Sequence, residues 1–441
     1  MTILLLAAAL VFGGGGSPAP VSELILELLA IALFTAFLIG GAATDQLPKV
    51  PSQIWLLAAL AICLPLLQLV PLPPVIWQSL PGREVERDLL ALTGDQNSWR
   101  PWSMTFDRTL ASMLSMLPPL AILLFAASSS RRVAERIVAT IAVCGLLSII
   151  VGAGQTAGGP YTPLRFYGSG ETYLLGFQAN HNSTADGLLI GLVACAASLV
   201  IWARGRPTYP TRRYVLGGFG SAAVLFFIAL ILAGSRAGIL LAPVPLVFSV
   251  WILIPWLRLK RRDGVVALVS IVLLSTSVWL LRGNDEIRER IGRLELVEVA
   301  RPEIWKDTVF AIENHWPAGS GLGSFVPVFV AAERLEVVDS RVPNRAHNDY
   351  LEFLLEAGLP GALLLGSFSA LVARRTLLLA RFSQFRRDPT LIVAIAILCI
   401  VILHSLVDYP MRSISLATVT AAAIGLLFRS KIGRETQSYG D

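Results

Sequence analysis

Arg345-Ala346-His347-Asn348-Asp349-Tyr350-Leu351-Glu352 closes a charged insert of about 66 residues, Arg282 to His347, in a chain that is otherwise close to continuous apolar helix. The insert carries nine basic and eleven acidic residues, so it is not a polycation. An apolar run resumes soon after it. One long charged segment between apolar runs is where function concentrates, because loops of this length are rarely kept as connectors alone. The insert therefore reads as the working part, and the helices on either side as its frame.

The 441 residues are 55% hydrophobic and only 15% charged, against about 25% charged in soluble domains. Apolar runs of about 20 residues fit spanning helices, not the shorter alternating strands of a barrel. In hydrocarbon, helices satisfy every backbone polar group internally. Twelve spans are expected: Thr2–Gly14, Val21–Gly41, Gln53–Val70, Arg108–Ala127, Val133–Ala153, Ser183–Ala203, Tyr214–Ala233, Ala237–Leu257, Gly264–Leu281, Leu359–Leu379, Leu391–Val407 and Met411–Phe428. The basic clusters at 131–132, 204–213, 258–262, 374–387 and 429–434 all fall on one side of that arrangement. By the positive-inside rule this side is cytoplasmic, as are both termini. The fold class is thus an all-α polytopic membrane protein with one large, partly helical periplasmic loop. Its expected parts are residues 1–281 (nine spans), 282–358 (the loop with its catalytic segment), 359–428 (three spans) and a cytoplasmic tail, 429–441.

The net charge of +6 reports cytoplasmic Lys and Arg and does not suggest a nucleic-acid partner. Cys63, Cys144, Cys195 and Cys399 each lie inside an apolar run and read as small buried hydrophobes. Met1 to Gly16 has no basic n-region, which favours a first span over a cleaved signal peptide. Pro71 to Pro81, with Trp77, reads as an interfacial aromatic-and-turn segment.

Four places carry residues suited to chemistry. Gly234-Ser235-Arg236-Ala237-Gly238 joins two spans with almost no loop, on the outer side. An arginine there opposes the positive-inside bias, so it reads as a fixed cation aimed at an anion; the plain alternative is snorkelling to the interface. Arg301 and Trp305 share a face of a helix starting near Pro302, and that helix ends at Asn314-His315-Trp316-Pro317. Gly319-Ser320-Gly321-Leu322-Gly323 follows; without GK[ST] it reads as a flexible turn, not a nucleotide loop. A lone histidine is more often structural than catalytic. His347 departs from that rule: Arg345 precedes it, Asn348 and Asp349 follow it, and it opens an apolar helix, at a membrane-surface pocket edge. No histidine, cysteine or carboxylate spacing has the form of a metal site.

At these residues the chain resembles the O-antigen ligase and polymerase superfamily of bacterial inner membranes. Arg345 to Glu352 with Glu356-Ala357-Gly358 is similar to the signature after that family's large periplasmic loop. Arg301-Pro302-Glu303-Ile304-Trp305 and His315 to Phe325 resemble the segments before it, and Ser235 to Gly238 its arginine turn. Phe177-Gln178-Ala179-Asn180-His181-Asn182 resembles its Asn-rich span entry, and His404 to Pro410 its closing turn. The resemblance implies a GT-C-like architecture and glycosyl transfer on the periplasmic face from a glycan on undecaprenyl diphosphate, with inversion and with no metal or nucleotide cofactor. It carries Arg236 and Arg301 over as cations for the diphosphate, since guanidinium forks suit phosphate oxygens. It carries His347 over as base or orienter for the acceptor hydroxyl. Arg345, Arg288, Arg290, Asn348, Trp305, Asn180 and His181 join as donor- or substrate-binding candidates.

The acceptor implied is lipid A–core for a ligase, or a second lipid-linked glycan for a polymerase. A protein O-glycosyltransferase shares the same donor chemistry. A transporter is the competing class: it predicts internal repeats and charged pairs within spans, and neither is legible in the sequence.

Overall fold

The computed structural model describes residues 1–15, 20–43, 49–168, 172–204, 209–257, 301–338, 342–382 and 387–429. They are 75% helical, with almost no strand. In order they form α1 (Thr2–Phe12), α2 (Pro20–Ala43), α3 (Ser52–Leu69), α4 (Pro74–Trp77), α5 (Glu84–Thr93), α6 (Phe106–Ser115), α7 (Leu117–Ala127), α8 (Arg131–Gly158), α9 (His181–Trp202), α10 (Tyr209–Ala233), α11 (Arg236–Leu241) and α12 (Pro243–Leu257). A helix over 301–315, here α13, comes next. It is followed by α14 (Phe325–Ala332), α15 (Asp349–Ala380), α16 (Pro389–His404) and α17 (Ile414–Leu427).

Eleven of the twelve expected spans coincide with helix; Gly264–Leu281 lies outside the described residues. By length and composition, eight helical stretches among the described residues are able to cross a membrane, while α1, α16 and α17 are shorter apolar helices. The expected spans at 108–127 and 237–257 are each broken once. The breaks fall at Met116, before Pro118, and at Ala242, before Pro243, because proline supplies no N–H to continue the ladder. The tenth expected span starts earlier than its apolar run: α15 begins at Asp349 and kinks at Gly358 (φ 55°, ψ −149°). A Cβ at Gly358 would stand 2.3 Å from the carbonyl oxygen of Pro317, so only glycine lets the kink close on that turn.

The bundle is centred on α9. In its most apolar window 78% of residues are buried, against 17–44% in the other candidate spans. It packs on α8, α10, α12 and α16. The shorter α17 is buried along almost its whole length and lies against α7, where Gly425 meets Ala126 and the Leu123 carbonyl. Small residues permit this close approach, and dispersion contacts then hold helices together in an apolar solvent. All four cysteines are free; Cys63 is exposed and so departs from the expected buried role, while Cys144 and Cys195 are buried.

Between α3 and α6 the chain makes an outer excursion, its base pinned by a two-residue antiparallel ladder, β1 (Pro71–Leu72) with β2 (Arg100–Pro101). Trp77 is not an interfacial side chain as expected: it is fully buried and donates from Nε1 to the Ser98 carbonyl (3.0 Å). Arg83, also buried, donates to the Pro101 and Trp102 carbonyls and pairs with Glu86.

Candidate active site

His347 sits in the turn that enters α15 with φ 51°, the one non-glycine residue with positive φ among the described residues. That conformation costs of order 1–3 kcal/mol and persists only where the surroundings over-determine it. Here they do. Asn348 caps α15, accepting from the Tyr350 and Leu351 N–H groups at 3.0 and 3.1 Å, and its own amide donates to the Leu406 carbonyl. Asp349 N–H donates to the Ser405 and Asp408 carbonyls. On the other side Trp305 Nε1 of α13 donates to the Ala346 carbonyl (3.0 Å), while Ala346 N–H donates to Glu352 Oε2 (2.9 Å). Trp305 and Asn348 are thus engaged in holding the turn that presents the imidazole.

The ring so presented lies 3.0 Å, Nδ1 to Oδ1, from Asp408, a residue at the far end of the chain's outer turns. Burial alone would raise the Asp408 carboxyl, but the His347 hydrogen bond and charge, then His404 and Arg301, hold it below the usual aspartate range. Asp408 is therefore a carboxylate and an acceptor, which assigns the proton of neutral His347 to Nδ1 and leaves Nε2 free to take another. Tyr409 packs edge-on to the imidazole, ring centroids 5.1 Å apart. Its hydroxyl accepts from Asn180 Nδ2 (2.8 Å), and burial pushes its pKa up to about 12, so the phenol stays neutral. Asn180 also caps α9 through Asn182 N–H. His181 lies beside Tyr173 (5.4 Å between rings), its Nδ1 buried with no hydrogen-bond partner among the described residues; the same holds for Arg301 Nε.

Arg345 is turned inward. Its guanidinium pairs with Glu352 (3.0 Å), a fully buried carboxylate. Arg412, in the short 3-10 turn Pro410–Arg412, reaches Glu356 at 2.9 Å, Glu352 at 3.4 Å and Asp349 at 3.7 Å. Burial works against its charge, yet these three carboxylates hold its pKa above the ordinary arginine value. The Gly319–Gly323 turn is not flexible as expected. It is almost wholly buried, with Ser320 and Gly321 N–H groups on the Leu355 and Glu356 carbonyls, Leu322 N–H on Gln68 Oε1, and Thr109 Oγ1 on the Leu322 carbonyl. It is a wedge between α3, α6 and α15.

Arg236 is half-buried at the start of α11. Ser235 before it caps that helix at Gly238 N–H (3.0 Å) and donates to Asn182 Oδ1 (2.7 Å). The arginine turn is thereby tied to the same Asn-rich entry of α9 that touches Tyr409. Arg288 and Arg290 lie outside the described residues. Behind this layer is a hydrogen-bonded histidine–aspartate pair within the bundle: Asp186 of α9 and His404 of α16, 1% and 0% exposed, with Nδ1 to Oδ1 at 2.6 Å. It corrects the expectation that the spans hold no such pair. Among the described residues no group of three or more His, Cys, Asp or Glu side chains is arranged to hold a metal ion.

Residues 221–366 match the family model described as O-antigen ligase. Over that stretch the chain is similar to the O-antigen ligase family. The matched stretch contains the arginine turn, α13, the buried glycine turn and His347. A comparison with curated proteins gives no match.

Asp408, Tyr409 and Asn180 complete the imidazole's surroundings from outside that ligase-family stretch. Asp408 and Tyr409 stood in the closing-turn motif His404 to Pro410, but nothing in the sequence said which partner, 61 residues away, they would meet. Asp186, Arg412 and Glu352 were missed as partners for the same reason: one charge in an apolar run is legible, and its counter-charge on another helix is not.

Proposed function

We propose that the protein is a glycosyltransferase of the periplasmic face of the inner membrane, moving a glycan from undecaprenyl diphosphate to an acceptor hydroxyl, and that it acts as an O-antigen ligase on lipid A–core. The observation that carries this reading is the His347–Asp408 pair (3.0 Å), fixed in a strained turn with Nε2 free. His347 Nε2 takes the acceptor proton while the acceptor oxygen attacks the anomeric carbon. The bond from that carbon to the phosphate oxygen breaks, and undecaprenyl diphosphate leaves with its negative charge. Asp408 stabilises the imidazolium that forms. Arg236 and Arg301 offset the leaving-group charge, and attack opposite the leaving group inverts the anomeric carbon. His181, Asn180 and a free edge of the Arg345 guanidinium line the donor side.

The test is glycan transfer in a complemented strain or in proteoliposomes, comparing wild type with His347→Ala and Arg236→Ala at matched membrane levels. Loss of transfer by both, with accumulation of the lipid-linked donor, is expected. Long accumulated glycans mark a ligase, and single repeat units mark a polymerase. Full activity in both variants overturns the site.

A further inference from the structure

We infer that α5 is an in-plane helix seated in the polar–apolar boundary of the outer leaflet, with lipid as its partner. The helix, Glu84–Thr93, buries none of its residues. Val85, Leu89 and Leu92 are 72%, 58% and 85% exposed. At helical spacing they form one stripe roughly 60° wide, with Glu84, Glu86 and Arg87 away from it and Asp88 at its edge. An apolar stripe that the protein leaves uncovered needs a partner.

Three features point to lipid as that partner. First, the excursion bearing α5 is tied at its base to the ends of two stretches able to cross a membrane. Ser103 N–H donates to the carbonyl of Gln68 in α3, and the Pro71–Pro101 ladder closes just beyond it. Second, exposed apolar side chains run from those stretches out along the excursion: Leu66 and Leu67 on α3, then Val70, Val75 and Ile76, with Phe106 at the start of α6. Third, Trp99 is 64% exposed in the same excursion, whereas Trp77 is fully buried. An exposed indole beside apolar residues suits the headgroup level. The polar side of α5 is mainly acidic, so the seat is apolar and does not draw on anionic lipid. The excursion also braces the buried glycine turn, through Met104 N–H on the Ser320 carbonyl and Thr109 on Leu322. This inference does not depend on which reaction the site performs.

Depth measurement by spin label tests it. A nitroxide is placed at Val85→Cys, Leu89→Cys or Leu92→Cys, with Arg87→Cys as control, in the full chain lacking Cys63, Cys144, Cys195 and Cys399, in phosphatidylcholine nanodiscs. Oxygen, which partitions into the bilayer, is expected to relax labels 85, 89 and 92 several-fold more than a nickel chelate does, and label 87 is expected to show the reverse. Equal access of the chelate to labels 89 and 92 and to label 87 overturns the inference. So does shielding of 89 and 92 from both reagents, which means that protein covers the stripe. The position-85 label gives a second reading of the same stripe if either leucine variant fails to reach the membrane.

Discussion

The molecule holds two histidine–aspartate pairs with similar geometry. His347 meets Asp408 at 3.0 Å and His404 meets Asp186 at 2.6 Å, each through Nδ1. The first is 14% exposed on the imidazole and sits on a turn with positive φ; the second is 0% and 1% exposed and sits on two ordinary helices. The same chemistry is therefore spent differently. A pair with an open Nε2 can exchange a proton with a substrate; the sealed pair has no such access, and its Asp186 Oδ2 and His404 Nε2 are buried without a hydrogen-bond partner among the described residues. The two are linked, since Asp408 N–H donates to the His404 carbonyl and the charge of His404 helps keep Asp408 ionised. Accessibility and backbone strain, not the residue types, separate the dyad proposed to work from the sealed one.

The sharpest way to break that contrast is to remove each histidine. His347→Ala is expected to lower transfer by roughly 10²–10⁴-fold, the usual range for a general base, with no loss of thermal stability in detergent. The turn's backbone is held by Asn348, Asp349 and Trp305 rather than by the imidazole, so it survives the change. Asp186→Asn or His404→Ala is expected to do the opposite. Leaving a buried hydrogen-bonding group without its partner costs about 1–3 kcal/mol, read as a lower melting temperature and lower membrane abundance, with transfer per folded molecule within about tenfold. If His404→Ala instead abolishes transfer at full stability, the inner pair is part of the chemistry and the contrast fails.

Asp408→Asn comes next in size. The amide keeps the shape but no longer enforces the Nδ1–H tautomer or offsets an imidazolium, so a loss on the order of 10²-fold is expected at matched expression. The pH dependence follows from the depressed carboxyl. Its folded value lies below the ordinary aspartate value of 3.8, so its contribution to stability is fully present above 3.8 and is lost as pH falls through the lower folded value. Wild-type transfer should then have no limb assignable to Asp408 above about pH 4. A melting-temperature profile of wild type against Asp408→Asn checks this: the two curves should converge only below that pH.

Much of the frame was legible because it is written in runs. Twenty apolar residues declare a helix without reference to anything else, and the His347 signature lies in consecutive positions, Arg345 to Glu352. What was not legible is pairwise. Glu352 looked like one more charge beside Arg345 until Arg412, sixty residues on, appeared against it. The glycine turn looked flexible because glycine permits flexibility; its burial comes from Gln68, Thr109 and Glu356, which the local sequence does not contain. Trp77 and Trp99 look alike in composition, yet the fold encloses the first and leaves the second 64% exposed.

The smallest expected effect tests whether the outer dyad is held by its second neighbour as well as its first. Tyr409 meets the His347 ring edge-on, and Asn180 donates to its hydroxyl at 2.8 Å. Asn180→Ala removes that donor and also the cap on Asn182 N–H. A typical hydrogen bond is worth about 0.5–1.5 kcal/mol, and 1.36 kcal/mol is a factor of ten in rate. Transfer is therefore expected to fall by roughly 3- to 10-fold. Tyr409→Phe keeps the ring against His347 and the α9 cap while deleting the same bond, so it should reproduce the part due to the hydroxyl alone. A Tyr409→Phe enzyme as active as wild type, beside an impaired Asn180→Ala enzyme, would mean that Asn180 acts on α9 or on substrate directly, and that the imidazole is oriented by Asp408 and its turn without Tyr409.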